Sequence, residues 1–289
     1  MPYDNSRLQT FKNCPEQYRL KNVLGLKKIE EGVDEHDKNF GKAIHSALET
    51  YYKGGTVESA KGVFRAEYPD QLAPDDLAKT QANGCTLIEA YVKHYADEDK
   101  RWTVKAVEVT DTFELAPGIL FTVKIDLIVE QQGCIYFVDH KTTGKSFNWQ
   151  YWSQFEPNSQ ITAYTAYCQA KYGECSGGII NGLQLGYRQR AYKGEPAGFH
   201  YSFQRQLFNR NRGQVEAWKQ DTLSWINTIS QANAVSLAST PWMKNEGQCR
   251  FCSYKEICIS TADPQIIEQL YTVIDPNEYL NQSNESESV

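Results

Sequence analysis

Apolar and polar positions alternate with a period of two from Phe121 to Glu130 and again from Cys134 to Thr143. Both runs are rich in β-branched and aromatic residues, and only Gln131, Gln132 and Gly133 separate them. The pattern predicts a β-hairpin. Residues 102–116 alternate in the same way and read as a half-exposed strand pairing with that hairpin. Gly178–Tyr187 and Gly198–Phe203 add two more strands, so the sheet should run from about 103 to 206. Around it the period changes to that of a helix. Ile44, Leu48 and Tyr51 or Tyr52 form an apolar stripe in 40–52. Residues 58–100 are mostly helical, with breaks near Tyr68–Pro69–Asp70 and Ala73–Pro74. Asp75 or Asp76 should cap the helix bearing Leu87, Ile88, Tyr91 and Tyr95. Gln160–Tyr167 opens a further helix, and a long one spans about 208–237 with Val215, Trp218, Leu223, Trp225, Ile226 and Ile229 available for packing. At the start, Ser6 should cap a short helix that buries Leu8 and Phe11, and Pro15 should end it or open the next. Strands and helices mixed in this order define an α/β chain.

The hairpin carries charges that its pattern does not need. Asp126 lies inside the first strand, Asp139 near the end of the second, and Lys141 two residues further on. Strand side chains alternate faces, so Asp139 and Lys141 share one. An acid in an apolar strand is costly unless it is paired or binds a metal. Two acids on paired strands with a lysine beside one suit a hard cation next to phosphate, the arrangement of phosphodiester cleavage. A surface hairpin with ordinary charges is the plain alternative. His45 and Glu49 stand one turn apart, so His45 is either a hydrogen-bonded helix histidine or a ligand brought to the hairpin. Gly41 would allow close backbone approach. Gln160 and Tyr164 share a helix face. The aromatic segment Phe147–Phe155 could stack on single-stranded bases or pack on the helix behind it. Arg188, Arg190 and Lys193, then Arg205, Arg210 and Arg212, form basic clusters able to meet phosphates.

The chain has 289 residues, of which 40% are hydrophobic, enough for one large domain or two small ones. It holds no apolar run of membrane-spanning length, and its start lacks the features of a signal peptide, which points to the cytoplasm. The net charge of −6 counts mildly against nonspecific duplex binding, although bound cations reverse the sign of a carboxylate site. Disulfides are an unexpected use for the eight cysteines in a reducing compartment. Cys249, Cys252 and Cys258 follow the spacing C-x2-C-x5-C, a ligand signature that lacks its fourth thiolate locally. Cys14 is the choice for the fourth. Cys85, Cys134, Cys168 and Cys175 read as core or neutral positions.

Taken in order, Phe11-x-x-Cys14-Pro15, Gly41-x-x-x-His45, Ile125–Ile128 around Asp126, Val138-Asp139-x-Lys141, Gln160-x-x-x-Tyr164 and the cysteine trio resemble the RecB-type PD-(D/E)xK nucleases. Within that branch the pattern is similar to the iron–sulfur group, including the CRISPR-associated iron–sulfur exonucleases and the AddB nuclease domain. The resemblance covers residues 4 to about 262. It implies a restriction-endonuclease-like mixed sheet flanked by helices, with a four-cysteine staple joining the N- and C-terminal segments. It implies that His45, Asp126 and Asp139 bind Mg²⁺ or Mn²⁺, with the backbone carbonyl of His140 nearby. Lys141 would activate or orient the attacking water, and Gln160 and Tyr164 would support the site or the DNA. Cys14, Cys249, Cys252 and Cys258 would hold a [4Fe–4S] cluster. Asp139 stands where many relatives carry Glu.

The expectation is therefore one nuclease domain over 1–262, with a helical lobe at 40–100, a cysteine-rich segment at 245–262 and a tail at 263–289 that is polar, acidic and disordered from about Asn281. Its function would be metal-dependent DNA hydrolysis, exonucleolytic on single-stranded ends, in recombination, repair, or phage or CRISPR DNA processing. DNA ends, single-stranded or duplex, are the expected partner, with protein partners possible in a recombination or CRISPR complex and no membrane. The chain lacks a Walker-type G-x-x-x-x-G-K-[ST] motor motif. The rival is a non-catalytic DNA-end-binding or accessory subunit of a helicase–nuclease or integration complex. A zinc-stapled interaction module is a further alternative.

Overall fold

The computed structural model describes residues 2–29, 36–69, 77–235, 242–260 and 263–275. In chain order the elements are β1 (Tyr3–Asp4), α1 (Asn5–Asn13), α2 (Pro15–Tyr18), β2 (Leu26–Lys28), α3 (His36–Tyr52), α4 (Val57–Glu67), α5 (Gln81–Asp99), β3 (Thr103–Ala116), β4 (Ile119–Gln131), β5 (Cys134–Thr143), α6 (Trp149–Ser153), α7 (Ser159–Tyr172), β6 (Cys175–Arg188), β7 (Gly198–Asn209), α8 (Arg212–Val235), α9 (Lys255–Ile259), α10 (Pro264–Leu270) and β8 (Tyr271–Val273). They fall into two compact units. One is formed by Met1–Val33, Thr110–Val123 and Glu216–Val289, the other by Asp34–Val109 and Lys124–Val215.

The second unit carries the mixed sheet that the alternation predicts. β4 pairs antiparallel with β5, β5 parallel with β6, and β6 antiparallel with β7. The hairpin turn is tighter than expected. Gln131 pairs with Cys134, leaving Gln132 and Gly133 at φ 53° and 79°, as a two-residue type I′ turn requires. The parallel β5–β6 crossover is made by α6 and α7. The helical lobe is α3, α4 and α5. Its core joins Phe40, Ile44, Leu48, Phe64, Tyr68, Leu87, Ile88 and Tyr91 to Leu183 and Leu185 of β6. The stripes expected for 40–52 and 81–99 are thus the buried faces. α5 is capped by Thr80, whose side chain accepts from Asn83 N. Asp75 and Asp76, the expected caps, and the expected break at Ala73–Pro74 lie outside the described residues. Gly41 comes close to β5 as anticipated, since a Cβ there would stand 3.0 Å from Thr142 Oγ1.

In the first unit, β1 pairs parallel with the start of β4, Tyr3 opposite Phe121. The cap of α1 is Asp4, not Ser6, because the Asp4 carboxylate accepts the Arg7 N–H at 2.8 Å from extended backbone. Leu8 and Phe11 are buried as expected. Pro15 opens α2 at its first position, where its missing N–H costs nothing. The last long helix starts at Arg212 rather than 208, because β7 continues through Asn209 in register with Gly177. Trp218 of α8 packs edge-on against Phe121, ring centroids 5.5 Å apart. The segment read as tail is ordered where described. α10 leads into β8, which pairs antiparallel with β2, Tyr271 opposite Lys28. Residues 281–289 lie outside the described residues. Among the described residues, no helix is long and apolar enough to cross a membrane.

Candidate functional site

Every residue of the candidate site belongs to the second unit. The registered β4–β5 ladder ends at Leu127 opposite Val138, and Asp126 and Asp139 follow one step on. There the Asp126 carboxylate takes the place of a ladder carbonyl, its Oδ2 accepting the His140 N–H at 2.7 Å. Its other oxygen, Oδ1, lies 3.3 Å from Nδ1 of His45, which α3 delivers to the sheet. Burial opposes the charge on Asp126, but His45 and the His140 N–H outweigh it and hold the carboxyl well below the usual carboxylate range. Burial likewise works to lower the His45 imidazole, and Asp126, with help from Asp139, raises it net.

Asp139 and Lys141 do share a face, with Asp139 Oδ2 and Lys141 Nζ 2.7 Å apart. Burial pushes the Asp139 carboxyl up and Asp126 adds to that push, while Lys141 opposes it. Burial works to lower the Lys141 ammonium, and Asp139 raises it above its ordinary value. On α7, Gln160 Nε2 donates to the Tyr164 hydroxyl at 2.7 Å, and that hydroxyl donates to the Lys124 carbonyl of β4. The helix pair is thereby fastened to the strand that bears Asp126.

One acid of the site is absent from the sequence reading. Glu108 of β3 reaches the same place, and its carboxylate, that of Asp126 and a ring nitrogen of His45 lie within 4.8 Å of one another. Its backbone is left-handed, φ 49°, an uncommon state for a residue that is not glycine. Burial, then the charge of Asp126, push the Glu108 carboxyl up to about 7. Lys124 Nζ stands 3.6 Å from it and only partly relieves this. An acid in a polar, half-exposed strand carries no signal of its own, and the left-handed backbone is visible only in three dimensions. Two carboxylates and an imidazole, one carboxylate only partly offset by a nearby cation, fit a hard divalent cation such as Mg²⁺ or Mn²⁺. Asp139 is not one of this trio; its Oδ2 lies against Lys141 Nζ beside it.

Behind the acids lies a buried polar network. Arg205 can only donate, so the Asn181 oxygen faces its Nε at 3.4 Å, and the Asn181 amide nitrogen faces His140 Nδ1 at 2.7 Å and the Tyr91 hydroxyl at 2.8 Å. His140 Nδ1 is therefore an acceptor and the ring is neutral. Burial agrees, pushing it down to about 3. Arg205 also donates to Asp99 at 2.6 Å and to the hydroxyls of Tyr91 and Tyr52 at 2.8 and 3.1 Å. Its guanidinium lies over the rings of Tyr95 and Trp102, 3.6 and 4.1 Å from their centroids. The Tyr52 ring stacks on His140, centroids 5.8 Å apart. Arg205, one of the arginines able by sequence to meet phosphate, is thus consumed inside the unit because its hydrogen bonds are already satisfied there. Arg210 is consumed as well, donating to Thr162 Oγ1 and to the carbonyls of Phe155 and Glu156. In the aromatic segment Tyr151, Trp152 and Phe155 are buried, and Trp149 is 79% exposed.

The cysteines belong to the first unit. Cys14 lies in extended backbone between α1 and α2, φ −162°. Its sulfur accepts the Asn245 N–H at 3.5 Å. Beside it Asn245 Nδ2 donates to the Asn13 carbonyl at 2.8 Å, and the Trp242 N–H donates to buried Glu16 at 2.7 Å. Burial pushes the thiols of Cys252 and Cys258 up, and Cys14 contributes to the rise in both. Cys85, Cys168 and Cys175 are buried elsewhere and Cys134 is exposed.

A profile of the PD-(D/E)XK nuclease superfamily matches residues 5–259. No curated protein matches the chain. Among solved structures, a candidate exonuclease from Eubacterium rectale is similar at 13% identity over 80% of this chain and 82% of that one, with a TM-score of 0.45. The protein SSO0001 is similar at 10% identity over 84% and 93% of the two chains, with a TM-score of 0.30. The profile spans most of the 289 residues, from the first helix to the cysteine-rich segment, and the chain belongs to the PD-(D/E)XK nuclease superfamily.

Proposed function

We propose that this chain hydrolyses DNA phosphodiester bonds with a divalent cation and works as an exonuclease on single-stranded ends. The observation that carries the reading is the convergence of Asp126, Asp139 and Lys141, the residues of the superfamily motif, with His45 and Glu108 from separate elements. His45, Glu108 and Asp126 would hold Mg²⁺ or Mn²⁺, with Asp139 beside them. The cation, when bound, supplies Lewis acidity and a lowered water pKa. Asp139 fixes the Lys141 ammonium at the strand face, where it orients the attacking water and offsets charge growing on the phosphate. The His140 N–H holds one Asp126 oxygen and leaves the other for His45. Gln160 and Tyr164 keep β4 in place through the Lys124 carbonyl. Away from this site, Cys14, Cys249, Cys252 and Cys258 would hold a [4Fe–4S] cluster. The Cys14–Asn245 contact, and the nearness of Cys14 to Cys252 and Cys258 that raises both of those thiols, support that reading.

Digestion of end-labelled single-stranded and duplex DNA with Mg²⁺, Mn²⁺ or EDTA tests the proposal. The expected result is cation-dependent release of short products from single-stranded ends. Bound but uncut DNA ends with either cation would refute it and favour an accessory subunit.

A further inference from the structure

Tyr151 presents a buried hydroxyl with nothing to bond. Its side chain is 6% exposed, and the hydroxyl has no hydrogen-bond partner among the described residues. The other tyrosines packed around the site are satisfied. Tyr164 bonds Gln160 and Lys124, and Tyr52 and Tyr91 bond each other and Arg205. An orphaned buried hydroxyl is disfavoured in folding and calls for a partner from outside the chain.

The placement of Tyr151 says which ligand. Lys141 is registered opposite Gly182, and cross-strand partners share a face. The ring of Phe147 lies directly over that glycine, where a Cβ would come within 2.6 Å of Cε1. The Tyr151 ring is 5.2 Å from Phe147, centroid to centroid, and is near enough to Asp139 to feel that carboxylate's charge, which puts it on the side of the sheet that carries Asp139 and Lys141. Asn148 caps the short helix α6 by accepting the Tyr151 N–H at 2.9 Å, and Phe155 packs on the ring at 5.6 Å. The ring is therefore fixed without help from its hydroxyl. Burial, then the charge of Asp139, push the phenol up to about 12, which keeps its proton in place.

We infer that Tyr151 is a substrate-contacting residue whose hydroxyl donates to a non-bridging oxygen of the DNA phosphate seated at Asp139 and Lys141. The inference rests on the nuclease reading of that site. A neutral donor that keeps its proton suits this place, because it stabilises charge on the phosphate without adding a second cation beside Lys141. No bond is made or broken at Tyr151.

The test compares wild type with Tyr151→Phe, which keeps the ring and its packing. Three readouts are taken: single-turnover cleavage of end-labelled single-stranded DNA with Mn²⁺, the same reaction on each phosphorothioate diastereomer of the scissile linkage, and thermal melting in EDTA. Tyr151→Phe should lower the single-turnover rate constant at saturating protein about 10²-fold or more, with the protein concentration that gives half that rate little changed. One diastereomer should slow wild type, and that slowing should shrink in the variant. The variant should melt at or above the wild-type temperature, because an unpaired buried hydroxyl has been removed. A wild-type rate in Tyr151→Phe would overturn the inference and leave the nuclease reading standing. Lower melting together with lost activity would also overturn it, by making the hydroxyl a structural partner. Failure of the wild type to cut with either cation would overturn both readings at once.

Discussion

Neutralising Glu108 should make the metal-free protein more stable while weakening its hold on a divalent cation. Burial, then the charge of Asp126, push the Glu108 carboxyl up to about 7 in the fold against an ordinary 4.5. A carboxyl whose folded value is raised is favoured while protonated. That contribution is fully present below pH 4.5 and is lost as pH rises through 7. The gap corresponds to about 3 kcal/mol at pH 8. The side chain is 17% exposed, and water reaching it trims the cost to about 1–3 kcal/mol. Glu108→Gln removes the charge and keeps the shape, so it should recover that amount at pH 8 and almost nothing at pH 4. The corresponding rise in Tm is roughly 2–10 °C. Thermal unfolding in EDTA at the two pH values measures it, and calorimetric titration with Mn²⁺ at pH 8 measures the lost ligand. Equal shifts at both pH values, or a lower Tm at pH 8, would refute the strain argument. Unchanged Mn²⁺ affinity would remove Glu108 from the site.

Lys141→Ala should fold normally and lose cleavage by the roughly 2.7–4 kcal/mol expected for one oxyanion-type donor; wild-type turnover on labelled DNA would rule the role out. Asp126→Asn and Asp139→Asn should each weaken Mn²⁺ binding and stop cleavage without unfolding the protein, as calorimetry and circular dichroism would report. Arg205→Leu leaves Asp99 buried without its cation, a loss of about 3–5 kcal/mol in urea unfolding; a change near zero would show the network to be dispensable. Cys14→Ala should lose iron and sulfide as completely as Cys258→Ala, while Cys168→Ala keeps both; full iron in Cys14→Ala would mean that another residue completes the set.

Much of the site was legible because strand periodicity is short and strict. A period of two places Asp139 and Lys141 on one face whatever surrounds them, and the 2.7 Å pair follows. The apolar stripes of α3 and α5 were readable for the same reason, since a helix face repeats with a known spacing. Boundaries were less so. Asp4 displaced Ser6 as a cap because β1 ends there, and β7 ran past Phe203 because its partner β6 is long enough to pair it through Asn209. What only the tertiary structure decided concerns residues whose neighbours come from distant parts of the chain. Glu108 joined the acids because a left-handed residue in β3 brings its carboxylate to Asp126 and His45. Arg205 looked like a phosphate contact because its local sequence is polar. Its actual partners, Tyr52, Tyr91, Asp99 and Asn181, lie 24 to 153 positions away and satisfy its donors inside the unit. A local pattern fixes which way a side chain points from its own strand or helix, but a side chain's charge state and purpose depend on which groups the fold brings against it, and those distances are not written in any window of the sequence.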